Sequence, residues 1–166
     1  MDFCKLRPSE IAEALGYYGA LETDIRAMTD ATFIFGAAKT AWGLPGDLSY
    51  IEPLLPTVRR GDIVVIDAGG KLNLSSLTNE MIEAFIAAGA GGIVLNGSLF
   101  QHAAFEIPVF AKGVHPRTVG NAGRCRINIP VVCGGVAICP GDYIIGNGEG
   151  LICVKPEEMN LLERLL

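Results

Sequence analysis

This 166-residue sequence lacks the cysteine pattern of a disulfide-stapled or zinc-binding domain. Its five cysteines, Cys4, Cys125, Cys133, Cys139 and Cys153, form no CxxC pair. An odd number at irregular spacing excludes a disulfide framework and a cysteine-rich metal site. Basic stripes are missing too. Thirteen Lys and Arg are scattered against eighteen Asp and Glu, a net charge of −5, so no nucleic-acid surface is expected. No apolar run reaches bilayer length, because residues 81–95 are interrupted by Glu83 and glycines. The first residues show no basic stretch followed by an apolar segment, the mark of a secretory leader. These absences predict a soluble, cytoplasmic protein with neither a membrane nor a nucleic-acid partner. No Ser-His-Asp order stands out. The glycine cluster Gly89-Ala90-Gly91-Gly92 precedes a strand rather than opening a helix, so it is no phosphate loop.

What is present fits one domain spanning residues 1–166. Half of the residues are hydrophobic and 19% are charged, which excludes disorder. Twenty-one glycines, mostly between apolar runs, point to many short strands and tight turns. Cys133, Cys139 and Cys153 fall in apolar segments and read as small core residues. Cys125 lies between Arg124 and Arg126, where positive charge favours a thiolate if sequence neighbours are also spatial ones.

The pattern predicts a short helix over 8–15, a strand over 31–38, and a helix over 48–58 broken by Pro53 and Pro56. Asp62 to Asp67 reads as a buried strand followed by a glycine turn. Thr78 is the N-cap of a helix with Ile82, Phe85 and Ile86 on its apolar face, ended by Gly89. Gly92 to Asn96 is a second buried strand, completing a βαβ unit that sets Asp67 and Asn96 at neighbouring strand ends. Beyond a short segment over 98–104, strands are expected over 108–111, 127–129, 131–138, 142–146 and 151–154. A last helix opens at Pro156. This C-terminal half reads as a β-rich layer on the βαβ unit.

The order of several blocks resembles the RraA-like family of 4-hydroxy-4-methyl-2-oxoglutarate aldolases. The blocks are Gly61-Asp-Ile-Val-Val-Ile-Asp-Ala-Gly-Gly70, Gly89 to Gly97, Ile107 to Gly113, Ile129 to Asp142, Gly146 to Gly150 and Val154-Lys-Pro156. Together they run over about residues 28–158. The resemblance implies a β/β/α swivelling-type sandwich, assembled as a homotrimer or hexamer with small-molecule sites between subunits. The family also decarboxylates oxaloacetate, and it includes the inhibitor of the RNA-degrading ribonuclease E. Its aldolase signature is a glycine, twenty residues, Arg-Asp, two residues and an acid. Aligned through Gly97, these positions carry Thr78, Leu99-Phe100 and Ala103, so every element is replaced. Neither Leu99 nor Phe100 can clamp a carboxylate or ligate Mg²⁺. Losing one oxyanion donor alone costs about a hundred- to a thousand-fold in kcat.

The residues left in that region are the candidate site. Thr78 and Asn79 either cap the helix and nothing more, or offer amides to a substrate anion. Asp67 and Asn96 either satisfy their turns or face a ligand. Lys71 is a loop lysine, an anion holder or an amine nucleophile. His102 and Gln101 lie within the degenerate signature as candidate catalytic groups, alongside Asp67; the bland alternative for His102 is a surface residue on a short helix. Leu99 and Phe100 would line the pocket, and Arg117, in His115-Pro116-Arg117, would supply positive charge. Three functions follow. One is a divergent lyase, isomerase or cyclising enzyme that acts on an organic acid or more hydrophobic substrate without metal or cofactor. The second is an Mg²⁺-dependent pyruvate-type aldolase or oxaloacetate decarboxylase with acids drawn from Asp67 and Glu149. The third is a non-catalytic regulator of RNA degradation.

Overall fold

The computed structural model describes residues 1–166. The chain opens with helix α1 (Pro8–Ala14), strands β1 (Arg26–Ala27) and β2 (Ile34–Gly43), and the one-turn helix α2 (Ile51–Leu54). Next come β3 (Ile63–Asp67), β4 (Ser75–Leu77), helix α3 (Asn79–Ala87), β5 (Gly92–Asn96) and β6 (Ser98–Leu99). The second half adds β7 (Val109–Ala111), β8 (Gly113–Val114), β9 (Cys125–Ile127), β10 (Val131–Cys133) and β11 (Val136–Ile138). Strands β12 (Tyr143–Asn147) and β13 (Gly150–Val154) and helix α4 (Met159–Glu163) complete it. No helix is long and apolar enough to cross a membrane.

Local chemistry explains the helix boundaries. Pro8 occupies the first turn of α1, and the Glu10 carboxylate accepts the Arg7 amide. Pro53 and Pro56 keep α2 to four residues and hand it to a 3-10 turn over Leu55–Thr57, as the sequence predicts. The Thr78 hydroxyl accepts the Met81 amide to start α3, and Gly89, at φ +99°, ends it. Met81, Ile82 and Phe85 form the buried face of α3.

The principal sheet has the order β1-β7-β5-β3-β2-β12-β13, with β9 beside the far end of β2. Its centre, β7-β5-β3-β2, is parallel, and β1, β12, β13 and β9 join antiparallel. The apolar runs of β3 and β5 are buried on both faces, as central parallel strands require. One face, with Val64, Ile66, Leu95 and Val109, packs on α3 and α2. The other, with Ile63, Val65, Val94 and Phe110, is covered by the β10–β11 hairpin through Val131, Cys133 and Ile138. Helices α1 and α4 cover Ile145, Ile152 and Val154 at the other end of the sheet.

A small parallel sheet, β4-β6-β8, continues the central strands. Strand β5 passes through Gly97 into β6, and β7 passes through Lys112 into β8. Carboxyl ends of neighbouring strands therefore meet at one edge of the molecule.

Several expectations are corrected. Strand β2 begins at Ile34 and runs past Lys39 to Gly43, because parallel pairing with β3 through Trp42 supports the polar residues. The strand expected over 127–129 is instead Cys125–Ile127, since Asn128 turns left-handed at φ +56°. Residues 131–138 form a hairpin turning at Gly134 and Gly135, both at positive φ. The C-terminal half is not a separate layer: β12 and β13 extend the principal sheet, and only β10 and β11 lie over it. No helix forms around His102.

Two consequences for stability follow. Leu99 is 1% exposed within the core, whereas Phe100 is only half-buried. Leu99→Ala should cost about 2–5 kcal/mol in chemical denaturation and Phe100→Ala distinctly less; equal losses would mean that Phe100 is also a core residue. The buried Asp47 carboxylate accepts hydrogen bonds from the Ser49 amide and hydroxyl and from the Ala122 and Arg124 amides, at 2.5–3.2 Å. Burial opposes its ionisation, but these donors hold its carboxyl below the ordinary value. The stabilisation is therefore complete above about pH 4 and is lost as pH falls through the lower folded value. Asp47→Asn should flatten the acid limb of a thermal-stability profile below about pH 4; an unchanged limb would count against this assignment.

Candidate functional site

The ends of β4, β6 and β8 build a rim. Leu77 pairs with Leu99, and Leu99 with Val114, so Thr78, Phe100 and His115 follow side by side. The Phe100 amide donates to the Leu77 carbonyl at 2.9 Å, and the His115 amide to the Leu99 carbonyl at 2.8 Å. Helix α3 starts here, directing its unpaired first amides and the positive end of its dipole toward the rim. Asn79, its first residue, has a buried side-chain oxygen with no hydrogen-bond partner. His115 accepts the Arg117 amide on Nδ1 at 3.2 Å. The Arg117 carbonyl accepts from the Ser75 amide and hydroxyl, leaving its guanidinium exposed. The rim thus gathers Thr78, Asn79, Phe100, His115 and Arg117. Gln101 and His102 follow directly on an irregular, exposed segment.

Leu99 does not line this rim; it belongs to the apolar core under α3. A guanidinium at that position would be buried among hydrocarbon side chains, at prohibitive cost without a partner. The register compatible with the fold is one residue later, placing Asn79, Phe100-Gln101 and Ala104 at the signature positions. Every element is still replaced: the aspartate position now carries the uncharged amide of Gln101, and the final acid position carries Ala104.

A second polar group sits at the ends of β3, β5 and β7. Asp67 and Asn96 are register partners, and the Asn96 amide nitrogen donates to Asp67 Oδ1 at 2.8 Å. Asp67 Oδ1 also accepts the Gly69 amide at 2.9 Å. Asn96 Oδ1 is buried and unpartnered. Lys112, which ends β7, pairs with Asp24 at 3.2 Å and has a side chain only 17% exposed. Sequence reasoning missed Lys112 and Asp24. The usable signal was a lysine closing the apolar tract 107–111 in line with two other polar strand ends. Lys71 is exposed on the glycine turn beside this group.

The Mg²⁺ that the family resemblance implies does not fit this chain's own residues. Neither register of the signature offers a carboxylate, and no three His, Cys, Asp or Glu side chains gather as ligands. Asp67 and Glu149 cannot combine within the chain. Asp67 pairs with Trp42 at one end of β2, while Gly146, at the other end, pairs with Ile34. Eight residues of strand, about 26 Å, separate those ends. Glu149 is instead paired with Arg7 at 3.1 Å. Cys125 also differs from expectation: burial and Asp47 push its thiol up, outweighing Arg126. A cavity of about 420 Å³ between α1, residues 20–26 and the β12–β13 turn is lined by Glu149 but by none of the other anticipated site residues.

Comparison with known proteins places this geometry in context. A putative 4-hydroxy-4-methyl-2-oxoglutarate aldolase of Halalkalibacterium halodurans is 28% identical over 158 residues, covering 93% of this chain and 75% of that protein. One from Azotobacter vinelandii is 29% identical over 120 residues, covering 70% and 74%. The RNA-processing inhibitor RraA from Thermus thermophilis superposes with a TM-score of 0.80 at 19% identity, covering 90% of this chain and 93% of that one. Streptomyces coelicolor RraAS2, an unusual member of the RNase ES inhibitor RraA protein family, gives 0.82 at 20% identity, covering 97% and 86%. Both structures share the curled mixed α/β fold. The aldolase/RraA family model matches residues 8–153, and the chain belongs to this RraA-like family.

Proposed function

We propose that this protein is a divergent lyase-type enzyme that acts on a small organic acid at the strand-end edge, without a metal held at the family signature. The observation that carries the proposal is the rim: a helix N-terminus with a buried, unpartnered Asn79 oxygen, beside signature positions that hold Phe100 and Gln101. The amides of α3 suit a substrate carboxylate, as helix N-termini suit anions generally. Phe100 favours a more apolar substituent than a pyruvate-sized ligand presents. His102 and Asp67 are the groups for proton transfer, with Gln101 as a catalytic hydrogen-bonding group and Thr78, Asn79, Asn96, Lys71 and Arg117 for binding. Because the rim is open in a single chain, the proposal includes completion of the site by a neighbouring subunit in a homotrimer or hexamer. The Mg²⁺-dependent alternative has less support, because the signature positions hold Phe100 and Gln101 and no three potential ligand side chains gather within the chain.

The test is pyruvate release from oxaloacetate and from 4-hydroxy-4-methyl-2-oxoglutarate, with Mg²⁺ and then with EDTA, alongside thermal unfolding with a panel of hydrophobic carboxylic acids. Expected results are turnover that survives EDTA, stabilisation by at least one acid, and a fall of about 10²–10⁴ in kcat for His102→Ala if it transfers a proton. Turnover abolished by EDTA, or no turnover together with no stabilisation across the panel, overturns the proposal.

A further inference from the structure

Carbon–carbon cleavage leaves an electron pair on one fragment, and that pair needs a sink. A metal-bound enolate is one solution; an iminium formed with a lysine amine is another, and it needs no cofactor. The signature positions of this chain offer no carboxylate for a metal, which leaves an amine as the sink. Of the five lysines, Lys5, Lys39, Lys71 and Lys155 lie away from any group of converging polar side chains at the strand-end edge, or extend into solvent beside it. Lys112 differs. It is largely enclosed, directly follows the parallel strand β7, pairs with Asp24, and lies beside Asn96 over Gly70.

We propose that Lys112 is an imine-forming catalytic residue for a 2-oxo acid. This inference rests on the metal-independent lyase reading and goes beyond it by locating the electron sink. Two observations support a ligand at this place. Asn96 Oδ1 is a buried acceptor with no donor. Gly70, held left-handed at φ +71°, lets the chain pass close to both groups: a Cβ there would stand 3.2 Å from the Lys112 amine and 3.3 Å from Asn96 Oδ1, so the amine and the unpartnered oxygen lie side by side over the glycine turn. A substrate carbonyl that reaches the amine therefore also comes near Asn96 Oδ1, and Lys71 stands next along the chain after Gly70, exposed, for its carboxylate.

The chemistry balances without an oxidant or reductant. Asp24 accepts the ammonium proton, and the Lys112 amine adds to the C2 carbonyl carbon. A proton passes from nitrogen to the resulting alkoxide; the hydroxyl donates to Asn96 Oδ1, takes back the proton held by Asp24 and leaves as water, giving the iminium. The C3–C4 bond then breaks with its electron pair moving toward nitrogen, which forms an enamine. From oxaloacetate the departing fragment is carbon dioxide; from a 4-hydroxy acid it is a carbonyl compound, with Asp67 taking the hydroxyl proton. Protonation at C3 and addition of water return the product and the free lysine.

The test is borohydride reduction of the full-length protein with pyruvate, followed by peptide mass mapping of all five lysines. Lys112→Arg keeps the charge and the Asp24 pair but cannot form the imine, and its thermal unfolding reports whether the fold survives. The expected result is one adduct on Lys112, absent from Lys112→Arg, with EDTA-resistant turnover lost in that variant while its unfolding temperature is kept. No adduct, or one spread over Lys5, Lys39, Lys71 and Lys155, overturns the inference. EDTA-resistant turnover that persists in Lys112→Arg also overturns it, yet leaves the lyase reading standing. A specific adduct without any turnover supports the imine and sinks the lyase reading instead.

Discussion

The structure depends on the parallel pairing of β3 with β5, register partners from Ile63–Gly92 to Asp67–Asn96. Ile63, Val64, Val65 and Ile66 are all fully buried. Burying each such side chain contributes about 1.5–3 kcal/mol, so both faces of the strand must be covered. Helix α3 covers one and the β10–β11 hairpin the other. Parallel strands also run out together at one edge, and there the chain changes from apolar to polar: Ile66 gives way to Asp67, Leu95 to Asn96, and Ala111 to Lys112. The polar edge is thus a geometric result of the same pairing that builds the core.

That edge explains how the chemistry can diverge while the framework is kept. Leu99 is the last core residue before the chain leaves β6, and beyond the Phe100 amide, which donates to the Leu77 carbonyl, residues 101–104 lie in no strand or helix. The loops are fixed elsewhere. Asp47 ties the entry of α2 to residues 122–124, and the buried Asp142 accepts the Cys139 amide and the Lys155 ammonium. Exchanging an arginine and an acid at the rim for Phe100 and Gln101 therefore removes charge and metal-binding capacity without removing a structural support. It also relieves the edge of a charge pair that would need desolvation on closing a site.

Much of this fold was legible because periodicity and punctuation agree locally. The runs of β3 and β5, the Thr78 cap, the Gly89 stop and the proline-limited α2 each rest on neighbouring residues. What escaped depends on pairing at a distance. The second half of β2 contains Lys39 and Thr40, which read as a strand end until β3 is placed beside them. The Lys112–Asp24 pair joins residues 88 apart in sequence, a separation no local pattern reports. Asp67 and Glu149 looked compatible only while the strand order was unknown; the antiparallel return of β12 carries Glu149 to the far end of the sheet. Cys125 was misjudged for a related reason. Its sequence neighbours are arginines, but burial and the carboxylate of Asp47 govern its thiol.

The match over residues 8–153 consequently measures a framework rather than a reaction. Family likeness is carried by buried strands, glycine turns and loop anchors, all of which serve the core. A reaction needs only a few groups at the polar edge, and two sets stand there. The rim presents the positive end of α3 with His115 and Arg117. The strand-end row presents Asp67, Asn96 and Lys112, with Asp24 closing over the lysine. Their electrostatics differ: the rim favours an anion, whereas the row carries two acids against one amine and disfavours any further negative charge left close to them. A carboxylate is therefore best accommodated away from Asp24 and Asp67, toward Lys71 or the helix amides, with the uncharged carbonyl turned inward. In the proposed reaction this arrangement would separate the part of an organic acid that is held from the part that reacts.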